Sequence, residues 1–137
     1  MTTSSTSSKV TLATNIATVL FGITIFLQLL LAAGVLPVSM AWGGTQDVLT
    51  PSLRYASLAS MAILAFFAYV IRRRAGLSKN MTVTTIVNVL AWIITAYLFL
   101  VTLGNITSPS MGEKLLFGPI SFFLAISCLL VSKSKTE

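Results

Sequence analysis

The residues that could support chemistry in this chain are few, and most of them lie between apolar segments. Glu113 precedes one apolar segment, Arg54 begins another, and Asn105 follows a third. A carboxylate, a guanidinium counter-charge and an oriented amide could together hold a polar ligand above an apolar body. The Gly-Gly pair after Trp42 would let the backbone turn tightly beneath that ring. The candidate ligand site therefore consists of Trp42, Gly43, Gly44, Arg54, Asn105 and Glu113.

The same residues have a second interpretation that needs no ligand. Ser110-Met-Gly-Glu113 matches the capping-box pattern, in which the Ser110 hydroxyl and the Glu113 carboxylate each accept a backbone N–H. Arg54 would then pair with Glu113 or with Asp47. Trp42 would anchor its loop at the membrane interface.

The residue inventory excludes most catalytic chemistry. The sequence has no histidine, one cysteine and three acidic residues. Without histidine there is no histidine-ligated haem, zinc or di-iron site and no Ser-His-Asp or Cys-His mechanism. With Cys128 alone there is neither an intrachain disulfide nor a Cys-x-x-Cys redox pair. We expect no enzyme activity, no cofactor and no metal site.

Composition indicates which elements must position these residues. Of 137 residues, 55% are hydrophobic and only 9% are charged, whereas a soluble domain carries about 25% charged residues. A membrane-spanning helix needs roughly 20 apolar residues. The sequence predicts an all-α fold, a four-helix transmembrane bundle, as a single integral membrane domain over 1–137. The four apolar segments cover 12–36, 53–71, 82–103 and 115–131.

The lysines and arginines predict the orientation of the bundle. Seven of the nine lie in the N-terminal segment, the connection 72–81 and the C-terminal tail, while Arg54 and Lys114 lie on the other side. Because cytoplasmic loops carry an excess of Lys and Arg, both termini are predicted to be cytoplasmic. The loops around Trp42 and Asn105 are predicted to face outside. The predicted location is multi-pass in the plasma membrane.

The net charge of +6 and the pI near 10 do not indicate a nucleic-acid partner. The basic residues lie where membrane topology places them, without interleaved aromatic residues. Each basic group near the inner leaflet attracts anionic lipid headgroups by about 1 kcal/mol. We expect such headgroups at Arg72, Arg73, Arg74 and Lys79.

Several residues inside the predicted spans bear on shape and polarity. Thr50 is a predicted N-cap of the second helix, with Pro51 at its first position. Pro119 predicts a kink near the start of the fourth span. Gln28 and Asn88 are costly in lipid unless paired. Asn88 lies four residues before Trp92, so the two could hydrogen-bond; interhelical hydrogen bonds and a polar path for a solute are both open.

Several short motifs follow one another along the chain: Ala41-Trp42-Gly43-Gly44, Gly104-Asn105, Glu113-Lys114, Pro119 and Leu124-Ala125-Ile126 with Cys128. In their order and spacing, the chain resembles a group of small uncharacterised four-span integral membrane proteins. The resemblance covers nearly the whole chain and implies an integral membrane protein, but it implies no mechanism. The residue after Trp-Gly-Gly is often basic in that group and is Thr45 here.

Three classes of function are compatible with this sequence. We favour a binding, accessory or structural membrane protein with an outward-facing polar cluster. The alternative is a small transporter or channel, which at this size would need a homo-oligomer to enclose a pathway. A membrane enzyme is the least supported class, since its catalytic groups would be so few. The expected partners are membrane lipids, together with a second copy of the chain or another membrane protein.

Overall fold

The computed structural model describes residues 3–78 and 82–135, with side chains from residue 8 onward. These ranges contain four long helices and no strand, which confirms the all-α four-helix prediction. Four segments are long and apolar enough to cross a membrane: Ser8–Ala33, Pro51–Arg74, Thr85–Thr107 and Glu113–Lys133. The helices are α1 (Thr3–Ala33), α2 (Pro51–Arg74), α3 (Thr85–Thr107) and α4 (Gly118–Lys133).

Local capping signals set most of the helix ends. The Thr50 hydroxyl accepts the Leu53 N–H at 3.2 Å, and Pro51 occupies the first turn, as predicted. The helix α1 ends at Ala33 rather than at 36, because Gly34 takes a φ of 76°. A left-handed residue at this position is a common helix stop.

Pro119 reshapes the start of the fourth span. Proline has no N–H, so the helical ladder must change just before it. A π-helical turn over Glu113–Phe117 precedes α4, and the Gly118 N–H bonds to the Glu113 carbonyl. The disturbance predicted at Pro119 therefore takes the form of a π-turn, a feature that is frequent at functional sites.

The four helices form an antiparallel ring. The helix α1 packs against α2 and α4, and α3 packs closely against α4 but less closely against α2. A core of small and branched side chains lies in the half where α2 and α4 end. Its fully covered members include Ala17, Phe21, Ala91, Ala125, Cys128 and Val131.

The two ends of the bundle differ in construction and are named here by one residue each. The Arg74 end contains the C-termini of α2 and α4 and the N-terminus of α3. The Glu113 end contains the π-turn, the C-terminus of α3 and two short 3₁₀ turns, Val38–Met40 and Trp42–Gly44. The predicted site residues lie at the Glu113 end.

Candidate functional site

The loop after α1 is fastened to the head of the fourth span. The Gly43 N–H donates to Glu113 Oε1 at 2.9 Å, and the Ser110 hydroxyl donates to the Ser39 carbonyl at 2.9 Å. These two hydrogen bonds define what we call the clasp. They join residues about 70 positions apart in the sequence and hold the loop across the Glu113 end of the bundle.

Two glycines make the clasp sterically feasible. A Cβ on Gly44 would lie 2.9 Å from Ser110 Cβ, and a Cβ on Gly112 would lie 2.6 Å from the Met40 carbonyl oxygen. Real Cβ atoms do not approach other heavy atoms this closely. The absence of a side chain at both positions therefore lets the loop backbone lie directly on the start of the fourth span.

The turn within the clasp uses left-handed backbone. The φ angles of Trp42, Gly43 and Gly44 are 57°, 78° and 67°. Glycine adopts such angles freely, and this confirms the tight turn predicted for the Gly-Gly pair. For a bulky residue such as Trp42 a positive φ is uncommon, and strain of this kind is concentrated at functional positions.

The predicted capping box is only half formed. The Ser110 hydroxyl accepts the Glu113 N–H at 3.4 Å, as expected. The Ser110 N–H, however, donates to the Ser108 hydroxyl at 3.0 Å, while the Glu113 carboxylate accepts from Gly43. The prediction that Glu113 caps its own helix is wrong. Its carboxylate joins the loop to the fourth span instead.

A cavity of about 240 Å³ lies beneath the clasp and is lined by all four helices. An apolar cavity of about 150 Å³ is large enough to bind benzene, so this volume suits a small organic molecule. Most of its wall is aliphatic or aromatic, and each of the four spans contributes at least one polar group. The aromatic lining residues are Trp42, Phe67, Tyr97 and Phe117, and the polar ones are Thr24, Gln28, Ser60, Asn105, Glu113 and Ser121.

The cavity has an aromatic floor and a lateral opening. Phe67 meets Phe21 edge-on at 6.5 Å and Tyr97 at 5.7 Å between ring centroids, which links α1, α2 and α3. Ile63 and Tyr97 both line the cavity and are 49% and 50% exposed. The cavity therefore opens between α2 and α3, where the helices pack less closely, toward the apolar outer surface of the bundle.

Two residues that line the cavity each carry a buried polar atom without a partner among the described residues. Gln28 Oε1 and Trp42 Nε1 are buried atoms without a hydrogen bond among the described residues. By contrast, Asn105 Nδ2 donates to the Ser121 hydroxyl at 3.2 Å, and that hydroxyl donates to the Gly118 carbonyl. Buried polar groups are usually paired, so an unpaired acceptor and an unpaired donor on two residues of the same cavity wall need an explanation.

The structure brings together most of the predicted site residues. Trp42, Asn105 and Glu113 line the cavity, and Gly43 and Gly44 form the clasp above it. The predicted ion pair of Arg54 with Glu113 or Asp47 is wrong, because neither pair forms among the described residues. Arg54 is exposed, does not line the cavity and forms no ion pair with Glu113 or Asp47.

Other contributors were missed by the sequence analysis. Gly112 and Ser121 carry no signal of their own, because their roles depend on which segments lie beside them. Gln28 was identified as a buried polar residue but not as part of the site. The predicted hydrogen bond between Asn88 and Trp92 is absent: Asn88 Oδ1 is buried without a partner in this part of the structure.

At the opposite end, Arg74 departs from the expectation for the basic cluster. It is only 3% exposed, and its guanidinium donates to the carbonyls of Ser132 and Ser134 at 3.1 and 2.7 Å. It therefore caps the C-terminus of α4 rather than facing lipid headgroups. Arg72 donates to a threonine hydroxyl of α1 and Arg73 to a tyrosine hydroxyl of α2.

The site contains no evident metal-binding group. Among the residues that the structure describes, no three histidine, cysteine, aspartate or glutamate side chains are grouped so that they could hold an ion. Lys79, the fourth predicted headgroup contact, lies outside the described residues. Comparison of the chain with protein-family models, curated proteins and solved structures gave no match.

Proposed function

We propose that this chain is an integral membrane protein that binds a small, largely apolar molecule in the cavity beneath the clasp. The observation that carries the proposal is a cavity with apolar walls whose lining includes Gln28 and Trp42. Each of these residues has a buried polar atom, Gln28 Oε1 and Trp42 Nε1, that is unpartnered among the described residues. Ligand sites are typically concave and apolar with a few well-placed polar groups. A bound ligand with a donor group would supply a partner for the Gln28 acceptor.

The lateral opening supports entry from the membrane. A ligand dissolved in the apolar phase would reach the cavity between α2 and α3 without crossing the clasp. The strained backbone of Trp42 holds its ring at the polar end, where it contributes both an apolar face and an N–H donor. The clasp then separates the bound molecule from the solvent above the bundle.

The test compares two valine-to-phenylalanine substitutions at different positions of α3. Val101→Phe fills the cavity, whereas Val89→Phe adds the same ring at a position that is exposed and does not line the cavity. Native mass spectrometry of protein released from nanodiscs should show a retained small molecule in the wild type and in Val89→Phe. Val101→Phe should lose it. Retention by all three proteins, or by none, would contradict the proposal.

A small oligomeric transporter is the second candidate. Ala59, Ala62 and Ala65 of α2 are exposed, and small residues on a helix surface let a second helix approach closely. A transporter predicts a defined oligomer in nanodiscs and solute flux that is lost in Glu113→Gln. A monomer with ligand retained would support the binding function instead.

Family, orientation and lipid contacts are part of the same proposal. We place the chain among the small four-span proteins that it resembles, in the plasma membrane, with both termini and Arg72 and Arg73 at the cytoplasmic leaflet. A Cys128→Ala background allows a direct test with single cysteines at two exposed threonines. A membrane-impermeant maleimide should label Thr45→Cys in intact cells but not Thr82→Cys. The reverse pattern would overturn the orientation.

A further inference from the structure

We infer that the ligand of this cavity is an amphipathic amine, bound as its ammonium ion with the charge at the Glu113 end and the apolar part toward α2. This inference rests on the proposed function and specifies its ligand class. Glu113 is the one formally charged side chain among the residues that line the cavity. The negative charge of Glu113 favours a cationic ligand.

The carboxylate has no cation of its own. Within the described ranges, Glu113 forms no ion pair, and its Oε1 accepts one hydrogen bond from Gly43. Lys114 is exposed and Arg54 lies outside the cavity. A carboxylate in a largely apolar cavity gains from a positive partner, because the surroundings screen their attraction weakly. A ligand ammonium would be that partner.

The aromatic lining favours the same ligand class. Trp42, Phe67, Tyr97 and Phe117 all line the cavity, and the faces of aromatic rings attract cations. Organic ammonium ions are frequently recognised by several aromatic side chains together with a carboxylate. An anionic ligand would meet repulsion from Glu113 and no compensating cation.

The unpaired acceptor distinguishes between kinds of ammonium. Gln28 Oε1 needs a donor. A protonated amine has N–H groups to donate, whereas a quaternary ammonium has none. We therefore expect a protonated amine to bind more tightly than its trimethylated counterpart.

The volume sets the size of a suitable probe. A cavity of about 240 Å³ exceeds the roughly 150 Å³ that accommodates benzene. A molecule with one aromatic ring and a short alkyl arm therefore suits a cavity of this size. Our probe is 3-phenylpropylammonium, compared with 3-phenyl-1-propanol, 3-phenylpropionate and the trimethylated ammonium, which share its ring and arm but differ in the polar group.

Trp42 provides the signal. The chain has two tryptophans, and Trp92 is exposed on α3 and does not line the cavity. Trp92→Phe protein in phosphatidylcholine nanodiscs therefore reports on the cavity through Trp42 fluorescence, with empty nanodiscs correcting for partition into lipid. We expect the ammonium to bind about tenfold more tightly than the alcohol, and the carboxylate to bind least.

Glu113→Gln tests the charge without removing the clasp. Its side-chain oxygen can still accept the Gly43 N–H. We expect it to abolish the preference for the ammonium while binding of the alcohol persists, which shows that the cavity is intact. The matched control is Asp47→Asn, which removes the same charge from an exposed loop position outside the cavity and should keep the preference.

The outcomes separate the two proposals. If none of the four probes binds, the cavity is not a binding site and both proposals fail. If the alcohol or the carboxylate binds as well as the ammonium, or if Glu113→Gln keeps the preference, the ammonium assignment is wrong and the binding function stands.

The same assay distinguishes two sources of the amine. A free amine and the headgroup of phosphatidylethanolamine share the required chemistry. Adding phosphatidylethanolamine to the nanodiscs should weaken probe binding to the wild-type Glu113 protein if the lipid is the ligand. Unchanged probe binding would identify a free amine.

Discussion

The Arg74 end and the Glu113 end of the bundle both contain buried polar groups, but they use them differently. At the Arg74 end, one guanidinium closes the C-terminus of α4 through the carbonyls of Ser132 and Ser134. At the Glu113 end, Gln28 Oε1 and Trp42 Nε1 have no hydrogen-bond partner among the described residues. Such unpaired atoms exist at both ends, but these two belong to residues that line the cavity. The buried guanidinium of Arg74 thus completes the fold, whereas the two atoms at the Glu113 end are left to the ligand that we propose.

The packing of side chains also differs between the Arg74 end and the Glu113 end. The half near Arg74 contains small side chains without any solvent exposure, such as Ala17, Ala91 and Ala125, which bring the helices close together. The half near Glu113 contains the cavity and is held across its top by the clasp. The half near Glu113 therefore combines a cavity with a smaller buried cluster of Leu31, Ala41 and Phe117.

The largest effect is expected from Arg74→Ala. It leaves the terminal carbonyls of α4 without their buried donor, since the guanidinium supplies bonds to Ser132 and Ser134. The free energy of unfolding should fall by about 3 kcal/mol. Reversible unfolding in mixed micelles measures the loss.

Arg73→Ala is the matched control for that experiment. The Arg73 side chain is half-buried and donates to Tyr69 at 3.3 Å within its own helix. Its removal should cost less than about 1 kcal/mol. Equal losses in the two variants would mean that the Arg74 end is held by charge in general and not by the cap on α4.

Gly112→Ala should disrupt the clasp by pushing the loop backbone away from the start of the fourth span. The new Cβ would lie 2.6 Å from the Met40 carbonyl oxygen, so the loop must move. Overpacking of this kind costs about 2 kcal/mol. Gly104→Ala is the control, because a Cβ there meets no atom within 4 Å and alanine favours the helix. If both variants unfold alike, the loop does not rest on the fourth span.

The features predicted correctly from the sequence depend on neighbouring residues. Hydropathy alone identifies the four helices, because a membrane-spanning helix satisfies its backbone internally. The Thr50 cap with Pro51 and the glycine turn after Trp42 likewise involve residues a few positions apart. Each could be inferred without knowing which helices pack together.

The features that were missed depend on residues far apart in the chain. Glu113 was predicted to cap its own helix, but its partner Gly43 lies 70 positions away. The sequence predicts lipid headgroups at Arg74, but the carbonyls that accept from it lie 58 and 60 positions away, at the C-terminal end of α4 and its cap. A single sequence does not contain the register in which α2 and α4 pack. The cavity, which needs four helices, could not be predicted either.

The side-chain half of the clasp is tested with two substitutions of one residue. Glu113→Ala leaves the Gly43 N–H without its acceptor and should lower the free energy of unfolding by about 1.5 kcal/mol. Glu113→Gln retains an acceptor oxygen and should cost much less. Amide hydrogen exchange at Gly43 should accelerate in the alanine variant only. Equal protection in all three proteins would show that the hydrogen bond does not hold the loop.

The two substitutions with the smallest expected effects should change the free energy of unfolding in opposite directions at the two ends. Gln28→Leu removes a buried acceptor that has no partner, so the free energy of unfolding of the empty protein should rise by about 1 kcal/mol. Thr95→Val at the Arg74 end removes a hydroxyl that lies 3.0 Å from the Ser132 hydroxyl, and should lower that free energy by a similar amount.

The two variants differ further once the cavity is filled. Because Gln28 would contact the ligand and Thr95 lies outside the cavity, Gln28→Leu should gain less stability than the wild type on addition of 3-phenylpropylammonium. Thr95→Val should gain as much as the wild type. If Gln28→Leu destabilises the empty protein, its oxygen is already satisfied within the fold. The Glu113 end would then be built like the Arg74 end, with its polar groups serving the bundle alone.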